Sequence, residues 1–216
     1  AVMSDQQTAG RGRLDRSWQS EPGSGLWCSV LVDLSGCPST TWLPLISGLA
    51  VLDACAGLGA AVELKWPNDI TAGGKKLGGI LIESAGISDH WVVGIGLNVT
   101  VAHFPDSVAL ADLCSPLPDP QTVFHAVLAS LHAVVESWRE ITWDTSQVSG
   151  RYQSACSSIG AQLSIARPGV DTFIAQGAGI DESGHLVIQR VGEKPEVVVA
   201  ADVVHATIYA CTQKNS

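Results

Sequence analysis

The alternation of apolar and polar segments before Gly160 predicts three helices and four strands. Apolar side chains recur every three or four positions in the helical segments, whereas the strand segments are short and rich in β-branched or bulky residues. The predicted strands are Leu26–Leu34, Ala61–Trp66, Leu77–Ser84 and His90–Thr100, and the predicted helices are Thr41–Gly59, Gln121–Glu140 and Thr145–Ser158. Because short turns join the last three strands, the pattern indicates an α+β fold with helices on a mixed or antiparallel sheet.

The last quarter of the chain has a different pattern, with short strands only. Five strand-length segments follow one another at a spacing of about ten residues. They are residues 161–166, 171–180, 185–190, 196–200 and 204–210. Such spacing is typical of a small β-barrel or sandwich. We therefore predict two domains, residues 1–158 and 159–216.

Composition indicates a globular chain with a localised cationic site. Of the 216 residues, 46% are apolar and 15% are charged, which excludes disorder as the dominant state. The formal charge of −9 has the wrong sign for a protein that wraps nucleic acid over its whole surface. Residues 11–16 and 65–76 nevertheless carry a net +4, so the rest of the chain carries −13. This basic island indicates a focused site for phosphate or carboxylate.

Cysteine and histidine spacing encodes neither a metal site nor a redox motif. The six cysteines include no C-x-x-C pair, and His125 and His132 are seven residues apart, too far for a usual pair of zinc ligands. Nothing in these residues resembles a secretion signal, and no apolar run reaches the roughly eighteen residues of a membrane span. We therefore expect a reduced, cytoplasmic protein with no metal held by its own side chains and no membrane partner.

The first candidate motif is the glycine- and arginine-rich part of residues 4–24. Gly10 and Gly12 permit close approach of a ligand to the backbone, and Arg11 and Arg13 offer guanidinium groups to a phosphate or carboxylate. The segment has no periodicity, which predicts a loop that a ligand orders. A solvated loop or an RNA-binding tract explains this composition equally well.

Two further motifs lie at the predicted strands. Lys65–Asp69 places a cation, an aromatic ring and a carboxylate at a strand end, and Lys76 enters the next strand beside two glycines. A lysine that points into a sheet is costly unless an anion meets it, although a charged hairpin tip has the same spacing. Val92–Asn98 contains two glycines, which leave room for a ligand or another backbone. It lacks the third glycine and the helix of a dinucleotide fingerprint.

Taken in order, these motifs resemble those of the bacterial biotin protein ligases, the biotin–acetyl-CoA-carboxylase ligases. The matching segments are Gln7–Arg13, Lys65–Asp69, Gly74–Leu81 and Val93–Val99, and Gly179–Leu186 and Ala201–His205 resemble the family's C-terminal domain. The resemblance covers nearly the whole chain. It implies a catalytic domain similar to class II aminoacyl-tRNA synthetases, followed by a small SH3-like β-barrel.

The resemblance implies an ATP-dependent ligase that forms a C–N bond. Family members activate biotin with ATP and Mg²⁺ to biotinyl-5′-AMP, release pyrophosphate, and pass the biotinyl group to one lysine of a biotin carboxyl carrier protein. The implied cofactors are thus ATP, biotin and Mg²⁺, and the implied partner is the carrier domain. The cationic island suits this chemistry, because a carboxylate must approach a phosphate against their mutual repulsion.

Matching the family's motifs residue by residue implies a role for each site residue. The implied catalytic residues are Lys76, which would bridge the biotin carboxylate and the α-phosphate, Arg13, which would lie near both, and Asp69, which would orient or deprotonate the carrier lysine. The implied biotin-binding residues are Gln7, Gly10, Arg11, Gly12, Arg13, Lys76, Gly79, Gly94 and Gly96. The implied ATP- and adenylate-binding residues are Arg16, Trp18, Lys76 and Asn98, with Trp18 stacking on the adenine.

The chain departs from the family pattern in two places. Family members carry a strand and a Ser/Thr-rich biotin-contacting motif well upstream of the glycine-arginine loop, whereas this chain starts nine residues before Gly10. We therefore expect an N-terminal strand and helix to be missing. Asp15 stands where a glycine is common in the family. Because no helix-turn-helix segment precedes the loop, the resemblance implies a short form that does not bind DNA.

Two alternative functions stay open at this point. A lipoate or octanoyl ligase would share the fold, although the Gly-Arg-Gly-Arg loop favours the biotin branch. A non-catalytic module that binds biotin, its adenylate or RNA belongs to a different class. The sequence also leaves a monomer and a homodimer open, because an exposed sheet edge looks the same in both.

Overall fold

A computed structural model describes residues 1–13, 17–167 and 170–199 of the chain. Its strands are β1 (Val2–Ser4), β2 (Gly25–Asp33), β3 (Glu63–Lys65), β4 (Asp69–Ala72), β5 (Lys75–Ser84), β6 (His90–Asn98), β7 (Gln162–Arg167), β8 (Val170–Ile180), β9 (Leu186–Gln189) and β10 (Glu196–Val198). The helices are α1 (Leu43–Gly57), α2 (Pro120–Glu140) and α3 (Ser146–Ala155), with a 3-10 turn at Leu110–Asp112. The helices and strands predicted before Gly160 are all present, with ends shifted by no more than three residues.

Six strands form the larger sheet, in the order β1-β2-β6-β5-β4-β3. Every neighbouring pair is antiparallel, which decides between the two sheet types that the sequence left open. β2 and β6 pair along their whole length, from Gly25 opposite Asn98 to Asp33 opposite His90. Since β5 pairs with the other edge of β6, successive residues of these three strands point alternately to the two faces of the sheet.

Helices cover one face of this sheet. α1 packs on β3, β4 and β5, and α2 packs on α1 and β2. Because α1 lies between the sheet and α2, even its small residues Ser47 and Gly48 are buried. α2 is amphipathic and buries one face, through Val123, Val127 and Leu131. Within the described ranges, neither these helices nor α3 could cross a membrane, because none is both long and apolar enough.

The second sheet contains four antiparallel strands in the order β10-β9-β8-β7. They confirm that short strands follow Gly160, but these four strands alone do not form a closed barrel. The predicted strand at 204–210 lies outside the described residues. Leu163, Ile165, Leu186 and Ile188 of the second sheet belong to the same hydrophobic cluster as α1 and the larger sheet. The two predicted domains therefore share one continuous core.

Two short strands were not predicted from the sequence. β1 pairs with β2, from Val2 opposite Ser29 to Ser4 opposite Trp27, at the start of a segment without periodicity. β4 begins at Asp69 and is flanked by Asn68 and by Gly73 and Gly74, residue types that favour turns. The sequence therefore indicated turns on this segment and no strand. The segment nevertheless forms a strand because it hydrogen-bonds on both sides, to β3 and to β5.

Candidate active site

A cavity of about 550 Å³ lies over β5 and β6, on the face of the sheet opposite α1. It collects nearly all the residues that the family resemblance selects. Those that line it are Gln7, Arg11, Gly12, Arg13, Trp18, Asp69, Lys76, Gly79, Gly94, Gly96 and Asn98. Gly10 lines an adjoining cavity of about 700 Å³, and Arg16 lies outside the described residues. Segments that are far apart in sequence therefore converge on one site.

Three glycines form the floor of this cavity. Gly79 on β5 lies directly opposite Gly96 on β6, and Gly94 lies two residues away on the same face. A methyl group at Gly96 would lie 3.1 Å from the indole ring of Trp18, closer than ordinary van der Waals contact. A side chain there would therefore push the ring away from the sheet. The glycines keep the floor low enough for flat groups to lie on it.

A lysine–carboxylate pair stands at the edge of the floor. Lys76 Nζ lies 2.6 Å from Oδ1 of Asp69 and 5.4 Å from the centre of the Trp18 ring. The pair forms because β4, which begins at Asp69, is the neighbour of β5 near Lys76. The Lys76 and Asp69 side chains are 40% and 26% exposed, so a ligand can reach both. The ammonium group is therefore held where it can meet an anion above the floor.

The glycine- and arginine-rich segment forms one wall of the cavity. Arg13 Nη1 donates a hydrogen bond to Oδ1 of Asn68 at 3.1 Å, which ties the segment to the turn before β4. Arg11 pairs with Glu83 at 3.0 Å near the rim. Asn68 also donates through Nδ2 to the carbonyl of Ile80 at 2.8 Å. Sequence reasoning gave Asn68 no role, because its partners come from two other segments.

Trp18 packs between the floor and Lys76. Its ring meets Trp27 edge to face with the centroids 6.0 Å apart, and its backbone N–H donates to the carbonyl of Gly10 at 2.8 Å. The indole N–H is buried and has no hydrogen-bond partner among the described residues. A buried donor without a partner is costly, and this N–H lies against Gly96 on the floor, so a ligand could accept a hydrogen bond from it only after the ring moves.

Asn98 and the loop after β6 form the other end of the cavity. Asn98 is 7% exposed, and its Nδ2 donates to the carbonyl of Val108 at 3.1 Å. The backbone N–H of Lys76 donates to the carbonyl of Asp106 at 2.9 Å, which holds the loop against the start of β5. As a result, His103, Phe104 and Ser107 also line the cavity. Sequence reasoning missed these three residues, because the loop has no periodicity and lies outside the matched motifs.

Positive charge predominates among the side chains that line the cavity. The cations are Arg11, Arg13, Lys65 and Lys76, and the anions are Asp69 and Glu83. The described lining therefore carries a net +2 in a chain of formal charge −9. The basic island has six cations, and four of them therefore lie at this one cavity. Of the other two, Arg16 lies outside the described residues and Lys75 is exposed.

Among the described residues, the cavity has neither a reactive thiol nor a cluster of metal ligands. Cys28 borders the cavity from β2, but its side chain belongs to the core, and burial raises the pKa of its thiol to about 12, so the thiol stays protonated at neutral pH and is a poor nucleophile. In the part of the chain that the structure describes, no three His, Cys, Asp or Glu side chains come together as a metal site. Mg²⁺ that arrives with nucleotide phosphates needs only one or two protein carboxylates, and Asp69 fits that need.

Comparison with known proteins gives the family of this fold and site. Residues 1–98 match the model of the biotin/lipoate A/B protein ligase family. Over 213 residues the chain is 37% identical to the biotin–[acetyl-CoA-carboxylase] ligase of Mycobacterium tuberculosis, covering 94% of this chain and 78% of that protein.

Solved structures of similar fold agree with this. The biotin protein ligase from Aquifex aeolicus in complex with biotin and ATP has a TM-score of 0.79 at 28% identity, covering 93% of this chain and 85% of that one. The ligase from Leishmania major in complex with biotinyl-5-AMP has a TM-score of 0.63 at 26% identity, covering 92% and 87%. The chain belongs to the biotin protein ligase family.

Proposed function

We propose that this protein uses ATP to activate biotin as biotinyl-5′-AMP and then transfers the biotinyl group to a lysine of a biotin carboxyl carrier domain. The observation that supports this most directly is the convergence of Lys76, Arg13 and Asp69 on a floor of glycines. A positively charged cavity with a low floor suits a flat, bicyclic acid and a nucleotide held side by side. The net reaction forms one C–N bond, so the protein is an ATP-dependent ligase.

In the first step, an oxygen of the biotin carboxylate attacks the α-phosphorus of ATP. The bond from that phosphorus to the bridging oxygen breaks, and pyrophosphate leaves with its electron pair. Lys76 would contact both the carboxylate and the α-phosphate, which offsets their repulsion and the charge that develops between them. Arg13, which donates to Asn68 next to Asp69, supplies a second cation, and holding both reactants in one cavity makes their encounter intramolecular.

In the second step, the amine of the carrier lysine attacks the acyl carbon of biotinyl-5′-AMP, and AMP leaves. The amine must lose a proton on the way to the amide. Asp69 is the acidic group next to Lys76 in the cavity, and its side chain is 26% exposed. We assign it to orienting this amine or accepting its proton.

The substrates are assigned to neighbouring parts of the cavity. Biotin would lie on Gly79, Gly94 and Gly96, with the segment that contains Gln7, Gly10, Arg11 and Gly12 as its wall. ATP would lie beside Trp18 and Asn98, and Arg16 is assigned to the same nucleotide. Mg²⁺ would bind with the ATP phosphates and neutralise part of their charge, and Asp69 and Asn98 would each offer it an oxygen.

We further propose that residues 159–216 form a small barrel of the SH3-like type beside a catalytic domain of residues 1–158 that is similar to class II aminoacyl-tRNA synthetases. The four antiparallel strands β7 to β10 support this arrangement. The protein partner is the biotin carboxyl carrier domain. Because both ATP and this carrier are needed, the cytoplasm is the proposed location.

The decisive experiment is isotope exchange between pyrophosphate and ATP with the purified protein of residues 1–216. We expect exchange that depends on biotin, because adenylate formation is reversible. Absence of exchange at saturating biotin would favour a non-catalytic binding module. Exchange that depends on lipoate or octanoate and not on biotin would instead assign the chain to the lipoate branch.

A further inference from the structure

Two indole N–H groups join the hairpin turn of the second sheet to the larger domain. The turn, Asp181–Gly184, connects β8 and β9. Trp42 Nε1 donates to the carbonyl of Glu182 at 2.8 Å, and Trp66 Nε1 donates to the carbonyl of Gly184 at 2.9 Å. Both rings are buried, with 1% and 3% of their surface exposed. The turn is therefore fixed to the larger domain by two similar bonds.

Only one of these tryptophans lines the substrate cavity. Trp66 opens the segment Trp66–Asp69, in which Asn68 accepts from Arg13 at 3.1 Å and Asp69 meets Lys76 at 2.6 Å. Trp42 instead precedes α1 and packs edge to face on Tyr152. The same turn thus contacts two tryptophans. Trp66 belongs to the segment that contacts Arg13 and Lys76, whereas Trp42 packs in the core.

Trp66 is held on both its side chain and its backbone. Its backbone N–H donates to Oγ of Ser158 at 3.1 Å, in addition to the bond from its indole to Gly184. Asp69 follows three residues later, and the partly exposed Lys76 has this carboxylate as its ion-pair partner among the described residues. A small shift of Trp66 would therefore move Asp69 and change the place of the ammonium.

We propose that the Asp181–Gly184 turn sets the position of Lys76 through Trp66, which makes Trp66 a positioning residue for the reaction. This inference rests on the proposed function of the cavity. The coupling runs from the carbonyl of Gly184 to the indole of Trp66, along the backbone to Asp69, and across the ion pair to Lys76. Misplacement of a reacting group lowers the rate of the chemical step more than it lowers substrate binding.

The first test compares Trp66→Phe with the matched variant Trp42→Phe. Each removes one indole N–H bond to the same turn and keeps a buried aromatic ring. We expect Trp66→Phe to lower kcat for adenylate formation about fivefold, with KM for biotin and ATP changed less than twofold. Trp42→Phe should lower the melting temperature by as much as Trp66→Phe does and leave kcat unchanged. Equal kcat values for the two variants would overturn the proposal.

The second test changes the turn and leaves both tryptophans in place. Asp181 Oδ1 accepts from the backbone N–H groups of Ser183 and His185, both at 2.8 Å, so Asp181→Ala should loosen the turn. Asp33→Ala is the matched control, because Asp33 Oδ1 accepts in the same way from the N–H of Ser35 at 2.8 Å, at the end of β2.

We expect Asp181→Ala to lower kcat and Asp33→Ala to leave it unchanged. The double variant Asp181→Ala with Trp66→Phe should be no slower than Trp66→Phe alone, because both changes break one coupling. Additive losses of kcat would show that the turn does not act through Trp66. If the wild-type chain itself shows no biotin-dependent exchange, the proposed function fails, which is a different result from either of these.

Discussion

The two faces of β5 and β6 differ in what they carry. Toward α1, Ile80 and Leu97 are 2% and 0% exposed and belong to the hydrophobic core. On the opposite face their immediate neighbours, Gly79 and Gly96, have no side chain and form the floor of the cavity. The same two strands thus support packing on one side and leave space for a ligand on the other.

This difference follows from strand geometry. Successive residues point to opposite faces, so one strand can assign every second position to stability and the rest to binding. Substitutions on the covered face should therefore change the free energy of unfolding, and substitutions on the open face should change the kinetics.

The largest effect is expected at the cation of the open face. Lys76→Ala should lower biotin-dependent pyrophosphate exchange about a thousandfold, because the ammonium offsets the charge that develops between two anions. Unfolding should remain cooperative, since Lys76 is partly exposed. The control is Lys75→Ala, which removes an exposed charge one residue away and should keep the wild-type rate. A Lys76→Ala protein that still exchanges at the wild-type rate would show that the lysine is misassigned.

The next effect is expected on the covered face. Leu97→Ala should lower the free energy of unfolding by about 3 kcal/mol, measured by urea denaturation, because it leaves a cavity in a closely packed core. KM for both substrates should stay within about twofold below the unfolding temperature. On the open face of β2, Leu31 is 54% exposed, and Leu31→Ala should change stability by less than about 0.5 kcal/mol. Similar losses for the two leucines would contradict the assignment of faces.

A smaller effect is expected from one methyl group on the floor. In Gly96→Ala the new Cβ would lie 3.1 Å from the Trp18 ring, so the ring must move and the nucleotide end of the cavity changes shape. We expect KM for biotin, which is assigned to Gly96, and KM for ATP, which is assigned to Trp18, each to rise about tenfold with little change in melting temperature.

Gly150→Ala serves as the control for this glycine, because a Cβ there meets open space within α3. Alanine is the better helix former, so this control should gain up to about 1 kcal/mol of stability and keep the wild-type KM. If Gly96→Ala behaves like Gly150→Ala, neither the floor at Gly96 nor the Trp18 ring above it is part of the substrate site.

Local patterns in the sequence were sufficient for most of the fold. The helices and the long strands β2, β5 and β6 were predicted within three residues, because periodicity and turn residues act over short distances. β4 was missed, since a strand of four residues between turn-forming residues is stabilised by its two neighbours and not by its own composition.

The site was predictable only where it coincides with ordered motifs. Lys76 and the floor glycines were found through the family resemblance, and the structure brings them to one cavity. The bond from Arg13 to Asn68 spans 55 positions, and the bond from Trp66 to Gly184 spans 118. Contacts at such separations depend on the packing of whole segments, which residue types and spacing do not encode.

The smallest effect is expected from a thiol on the covered side. Burial, and to a lesser degree Cys114 nearby, raises the pKa of Cys55 in α1 to about 12, whereas an unfolded thiol ionises near 9. Because the pKa is raised in the folded state, the stability that the protonated Cys55 thiol contributes is complete below pH 9 and is lost as the pH rises toward 12. The loss should reach about 1 kcal/mol at pH 10.

Cys55→Ala removes this titration, so the free energy of unfolding in urea should decline less between pH 9 and 10.5 in the variant than in the wild type. Between pH 7 and 8.5 the two proteins should differ by a constant amount, the cost of the missing sulfur. Biotin-dependent exchange should be the same in both at pH 8, because the thiol lies on the side of the sheet that the reaction does not use. An equal alkaline decline in the variant would place the responsible group elsewhere, and a changed exchange rate would show that the covered face also affects the reaction.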